Sequence, residues 1–282
     1  MKQIGVVGAG QMGNGIAQVA AQKGYQVILS DIHEDALNSA LSTISKNCDR
    51  LIKKEKMDAA GKAALLENIK TTTQLTDLDQ CDCVIEAATE NVDLKLNILK
   101  QLDEICKTEA LLCSNTSSIS ITKMAAVTKR PAQVCGMHFM NPVPVMKLVE
   151  GIRGLQTSDD TFNKVRAFTE KLDKVFVEAN DRPGFVVNRI LMPMINEAVF
   201  TLSEGIANEE DIDQAMMLGT NQPMGPLALA DLIGLDTCLA IMHVLHEGLG
   251  ESKYRPCPLL VKYVEAGWLG RKSGRGFYSY DD

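Results

Sequence analysis

Residues 4–13 read Ile4-Gly5-Val6-Val7-Gly8-Ala9-Gly10-Gln11-Met12-Gly13, and a helical pattern follows over 16–22. The apolar run is short enough for one buried strand, and the glycines fall where that strand must turn into the helix. In this context each glycine has its own task. Gly8 admits the tight turn, Gly10 lets the backbone approach a pyrophosphate, and Gly13 lets helix and strand pack closely, so that the helix N-terminus faces the phosphates. A second β-rich run, 25–30, ends at Asp31, an acid placed to accept hydrogen bonds from an adenosine ribose. An unmodified 2′-hydroxyl suits that carboxylate better than a 2′-phosphate, and His33 offers no fixed positive charge. The expected cofactor is therefore NAD, with NADP disfavoured.

Outward from this unit, β-rich runs at 3–7, 26–30, 83–87, 111–114, 134–138, 148–152 and 175–178 alternate with helical segments. Such alternation predicts an α/β fold, a Rossmann-type doubly wound and mainly parallel sheet with helices on both faces. The β-rich runs stop at Asp181-Arg182-Pro183-Gly184. Beyond it the apolar pairs Val186/Val187, Ile190/Leu191, Met194/Ile195 and Ala198/Val199 recur every four residues, which predicts an all-helical C-terminal domain. The expected domains are 1–182 and 183–282. A stripe that wide exceeds one core face, so the second domain is also expected to bury a subunit interface and form a homodimer.

The formal charge of -7 argues against a general phosphate-backbone binder, and no nucleic-acid partner is expected. No apolar run approaches the length of a membrane span, so no membrane partner is expected and the cytoplasm is the expected location. Eight cysteines scattered through apolar stretches without a CxxC pair suit buried thiols in a reducing compartment. His243, His246 and Glu247 lie close in sequence but bring no recognisable further ligand, and no metal is predicted.

A dinucleotide unit does not name a reaction. Further segments do: Ser114-Asn115-Thr116-Ser117-Ser118, Gly136-Met137-His138-Phe139-Met140-Asn141-Pro142, Lys147-Leu148-Val149-Glu150, Arg182-Pro183-Gly184-Phe185-Val186-Val187-Asn188-Arg189, Met224-Gly225-Pro226 and the stretch 270–278. Together they resemble the 3-hydroxyacyl-CoA dehydrogenase family over essentially the whole chain, most closely its single-function members acting on 3-hydroxybutyryl-CoA. The resemblance implies a dinucleotide-binding domain, a helical dimerisation domain, an active site in the cleft between them, and an acyl-CoA substrate. It also implies roles. His138 is the general acid/base, suited to taking a hydroxyl proton near neutral pH. Glu150 orients the imidazole and stabilises its charged form. Ser117 and Asn188 hydrogen-bond the reacting oxygen or the histidine. Glu90, Lys95, Asn115 and Asn141 serve the nicotinamide end of the cofactor. Arg275 departs from the lysine expected at that position in many members.

Each residue also has an ordinary reading. His138 between Met137 and Phe139 could be a core histidine, Glu150 a strand terminus, Asn188 a residue bonding its own backbone, Ser117 part of a helix cap, and Glu90 with Lys95 a surface pair. Arg50, Lys53, Lys54 and Lys56 concentrate positive charge in an acidic protein. Arg50 and Lys54, four apart, are the candidates for CoA phosphate, against the alternative of a solvated face. Competing functions are a free 3-hydroxyacid dehydrogenase, which would commonly use a catalytic lysine, and a non-catalytic nucleotide-binding or crystallin-like relative.

Overall fold

The computed structural model describes residues 1–280. It divides into two compact units, Met1–Arg182 and a second beginning at Pro183.

The first unit is built on an eight-stranded sheet of β1 (Gln3–Val7), β2 (Gln26–Ser30), β3 (Ile69–Thr72), β4 (Cys83–Glu86), β5 (Leu111–Ser114), β6 (Val134–Phe139), β7 (Leu148–Arg153) and β8 (Val175–Asn180). The strand order is β3-β2-β1-β4-β5-β6-β7-β8. The first six strands run parallel; β7 pairs antiparallel with β6, and β8 runs parallel to β7. The connecting helices are α1 (Gln11–Gln22), α2 (Glu34–Lys53), α3 (Ala59–Glu67), α4 (Val92–Ile105), α5 (Ile121–Ala125) and α6 (Asp159–Lys171). The strand order reverses between β1 and β4, and in open α/β sheets the crevice at the carboxyl ends of such neighbours is where ligands bind.

The interior strands read as continuous apolar runs because helices cover both faces. Every residue of β4, β5 and β6 is buried, and Ile16, Ala17, Ala20 and Ala21 of α1 pack into the same core as Ile4, Val6, Val27 and Leu29. Strand β3 was not expected from sequence. Its Ile-Lys-Thr-Thr run buries only Ile69 and pairs on one side only, so hydrophobic periodicity had nothing to register. The reversal of β7 also lay beyond what strand propensity can specify.

The second unit contains α7 (Val187–Ser203), α8 (Glu209–Thr220), α9 (Pro226–Ile233), α10 (Leu235–Leu249) and α11 (Pro258–Glu265). Its separate core includes Met192, Ile195, Val199, Leu227, Leu235, Met242, Leu245 and Leu260. Two carboxylates organise it. Asp213 accepts from the backbone of Leu227 and Ala228 at the start of α9, at 2.8 and 2.9 Å, and Asp231 accepts from Phe277 and Tyr278 at 3.0 and 2.9 Å. Among the described residues no single helix is long and apolar enough to cross a membrane; α9 and α10 pass together only as a pair bent by 98°, and both contribute to this core.

Candidate active site

At the carboxyl end of β1 the backbone itself forms the cradle. Gly8 has φ +99°, and a Cβ there would lie 2.6 Å from the Ala87 carbonyl oxygen. A Cβ on Gly13 would lie 1.7 Å from the Gly8 oxygen, so the turn and the first turn of α1 touch backbone to backbone. Gly10 is different: nothing lies within 4 Å of its added Cβ. It precedes α1 with no side-chain cap and no acid in the first turn, which leaves the helix N-terminus open to an anion. Asp31 sits at the end of β2, where Oδ2 accepts from Ala9 N at 2.8 Å and Oδ1 from His33 N at 3.0 Å. A carboxylate has about four acceptor positions, so these bonds fix Asp31 while leaving capacity for a diol.

A second group gathers at the ends of β4 and β5. Lys95, on α4, is 1% exposed and turned inward. Its Nζ lies 2.8 and 2.9 Å from the two carboxylate oxygens of Glu86, 3.1 Å from Ala88 O and 3.3 Å from Glu90 Oε2. The surface-pair reading of Glu90 and Lys95 is thereby corrected for the lysine, because an acid at the end of β4 supplies a buried partner. Glu86 also accepts from Ser114 Oγ at 2.7 Å and Ala88 N at 2.7 Å. Sequence reasoning missed Glu86, although a carboxylate closing the apolar run Cys83-Val84-Ile85 was a usable signal. Glu90 Oε1 accepts from Ser117 N and Ser118 Oγ, each at 3.0 Å, and from the Thr116 hydroxyl. Asn115 is buried, its Oδ1 accepting from Phe139 N at 2.9 Å.

The imidazole of His138 lies between these loops and the reversed strand. His138 and Glu150 face each other as cross-strand partners in β6 and β7, with Nδ1 2.7 Å from Glu150 Oε2. Its Nε2 lies 3.1 Å from Ser117 Oγ. His138 is 6% exposed and Glu150 fully buried, so their interaction is little screened by water. On β5 and β6, the adjoining positions include thiols made inert by their surroundings: burial pushes Cys135 up to about 12, while the Cys83 thiol, its Sγ 3.8 Å away, and then burial raise Cys113.

The sequence also singled out Asn141, Arg50, Lys54, Asn188 and Arg275. Asn141 is exposed. Arg50 and Lys54 are exposed at the C-terminal end of α2. Asn188 is buried near the start of α7 in the second unit. Arg275, also in the second unit, stacks its guanidinium 3.7 Å above the Trp268 ring, which gives it a packing role there.

Two family models match the chain in succession: the NAD binding domain of 3-hydroxyacyl-CoA dehydrogenase over residues 3–182, and the C-terminal domain of 3-hydroxyacyl-CoA dehydrogenase over residues 184–280. The chain belongs to the 3-hydroxyacyl-CoA dehydrogenase family. This dehydrogenase is 56% identical over 280 residues to a Bradyrhizobium diazoefficiens protein named 3-hydroxybutyryl-CoA dehydrogenase, covering 99% of this chain and 96% of that one. A Bacillus subtilis protein named probable 3-hydroxybutyryl-CoA dehydrogenase is 56% identical over 282 residues, covering 100% of this chain and 98% of the relative. The solved (S)-3-hydroxybutyryl-CoA dehydrogenase of Ralstonia eutropha is 55% identical with a TM-score of 0.97, each chain covered completely. NAD is the dehydrogenase's cofactor, and the open space at Gly10, the uncapped start of α1 and the fixed carboxylate of Asp31 fit that dinucleotide.

Proposed function

We propose that this dehydrogenase interconverts 3-hydroxybutyryl-CoA and acetoacetyl-CoA, with His138 as the general acid/base and Glu150 as its partner. The observation that carries this reading is a buried imidazole bonded at Nδ1 to a buried carboxylate, 2.7 Å away, and at Nε2 to a serine hydroxyl, 3.1 Å away. A carboxylate at Nδ1 holds a proton there, which leaves the Nε2 lone pair to take the proton of a substrate alcohol; in reduction the doubly protonated ring returns it. The anion of Glu150 stabilises that charged ring and fixes its orientation, the same division of labour as in hydrolytic triads. NAD, when bound, supplies the hydride acceptor or donor at the substrate's third carbon. We assign Ser117 and Asn188 hydrogen bonds to the reacting oxygen or to the histidine, and Glu90, Lys95, Asn115 and Asn141 the nicotinamide end of the cofactor. Arg50 and Lys54 are assigned the CoA phosphates. The names of the most similar relatives support the short acyl chain.

The test is oxidation of NADH followed by absorbance, with acetoacetyl-CoA and free acetoacetate compared as substrates. The CoA ester is turned over and the free acid is not; equal turnover would refute the thioester assignment. His138→Ala lowers kcat by roughly 10²–10⁴-fold, the usual contribution of a positioned acid or base, with NADH binding kept. Retention of full kcat by that variant would refute the acid–base assignment.

The same reading places the enzyme in the cytoplasm as a homodimer formed through its second unit. Ile190, Ile206, Leu218 and Leu232 are 67%, 68%, 78% and 50% exposed there, apolar side chains that a second copy of the chain would cover. Sedimentation at micromolar concentration returns a dimer mass if this is right and a monomer mass if it is wrong.

A further inference from the structure

We propose that Lys174 is a positioning residue for the cofactor, holding the loop 140–147 so that Asn141 is presented to the nicotinamide end. The inference rests on the assignment of Asn141 to the nicotinamide and adds a residue that acts only through that loop. Lys174 lies in the turn between α6 and β8 and is 7% exposed. Its Nζ donates to Val143 O and Met146 O, both at 2.7 Å. Burial and then the charge of Lys147 lower its pKa, whereas a carboxylate partner would raise it. A buried cation without a counter-charge is costly, and what this one gains is the hold on two carbonyls of a single loop.

The anchor is itself fixed. Lys174 N donates to Thr169 O at the end of α6, at 3.3 Å, and Val175 beside it opens β8 by donating to Lys147 O at 2.8 Å. Within the loop, Pro142 O accepts from Val145 N and Met146 N, each at 3.0 Å, which closes a turn directly after Asn141. Lys174 ties the carbonyls on both sides of that turn. From the opposite direction Val143, 1% exposed, packs in the core of the first unit against α1, where a Cβ on Gly15 would fall 2.8 Å from Val143 Cβ. His138 and Glu150, by contrast, are aligned by the register of β6 and β7. Moving the turn therefore displaces Asn141 and leaves the acid–base pair where it is.

The test is calorimetric titration with NADH and with ADP-ribose, which carries the adenosine and pyrophosphate but no nicotinamide. Lys174→Met keeps the apolar stem, removes the donors and weakens NADH binding by roughly 3- to 10-fold, the scale of one lost hydrogen bond. ADP-ribose binds as it does to the parent, and the pH dependence of kcat is unchanged. In an Asn141→Ala background Lys174→Met costs nothing further, because the loop no longer delivers a side-chain amide. Gly15→Ala presses on Val143 from α1 with the lysine intact and gives the same loss confined to NADH, which keeps the proposal testable if Lys174→Met does not fold.

Equal losses for NADH and ADP-ribose in both variants overturn the proposal, since a general defect of the fold weakens the whole dinucleotide site. So does a Lys174→Met loss that multiplies with that of Asn141→Ala. If Asn141→Ala binds NADH like the parent, the assignment of Asn141 fails and the proposal with it. If Asn141→Ala binds weakly while Lys174→Met binds normally, only the positioning role fails.

Discussion

Gly10 and Gly13 stand three residues apart in one motif, yet alanine at each should fail for opposite reasons. At Gly13 the new methyl carbon would be 1.7 Å from the Gly8 carbonyl oxygen, so backbone must move by more than about 1 Å to restore ordinary contact. No rotamer change relieves a clash between Cβ and a main-chain oxygen. The cost therefore falls at the upper end of overpacking, about 3 kcal/mol, or roughly 6–12 °C in melting temperature for a unit of this size. At Gly10 the φ, ψ of -66° and -167° are open to alanine, and nothing lies within 4 Å of the added carbon. The loss of a permissive helix-start residue and the lower entropy of the unfolded chain offset each other to within about 1 kcal/mol. The methyl instead occupies the space through which a pyrophosphate approaches. Losing one charge-assisted backbone contact weakens NADH binding by roughly 10- to 100-fold, the equivalent of about 1.5–3 kcal/mol. Thermal melts and titration of NADH fluorescence read the two effects separately. A Gly10→Ala protein that binds NADH like the parent, or one that melts as early as Gly13→Ala, would refute this division of labour.

Asp31→Ser removes a carboxylate that favours the ribose hydroxyls and opposes a 2′-phosphate, so the ratio of kcat/KM for NADH over NADPH narrows; a parent enzyme that already prefers NADPH contradicts the assignment. Arg50→Ala/Lys54→Ala raises the KM for acetoacetyl-CoA at low salt with kcat nearly intact, because remote phosphate contacts add uniform binding, and an unchanged KM marks the cluster as a solvated face. Burial pushes Cys81, Cys135 and Cys238 up to about 12 and Cys106 to about 11. For these four thiols, raising the pH from 7 to 9 leaves the reactive thiolate scarce. An aromatic disulfide reagent therefore labels the native protein slowly across that range and titrates all eight cysteines only after unfolding; rapid labelling of the native protein would show a dynamic core.

The turn from β1 into α1 and on to Asp31 was legible because glycines and a terminal acid announce backbone geometry within a few residues of each other. The sheet's parallel part was legible for a related reason, since strands buried on both faces keep an unbroken apolar signature. What failed to show was decided by pairing. Ile69-Lys-Thr-Thr becomes a strand only because β2 lies beside it. Nothing in the eleven residues between His138 and Glu150 states that β7 reverses to place them opposite each other; family likeness suggested the pairing, while sheet register supplied it. Lys95 looked solvated because its partner Glu86 belongs to another element, and a buried ion pair leaves no trace in local periodicity.

The two strands that hold His138 and Glu150 are joined by the loop 140–147 but kept in register elsewhere. Gly151, paired with Met137, lies where any Cβ would fall 1.9 Å from the ring of Phe176 on β8. Gly136, paired with Ile152, is hemmed in by Ile152 and Ile121, with contacts of 2.7 and 3.0 Å. A slip of one residue would turn Glu150 to the opposite face of the sheet and drive a side chain into that aromatic ring. The connecting loop, anchored in the core by Val143, thus need not set the register itself, because the histidine and its carboxylate stay indexed to one another by two glycines and a phenylalanine.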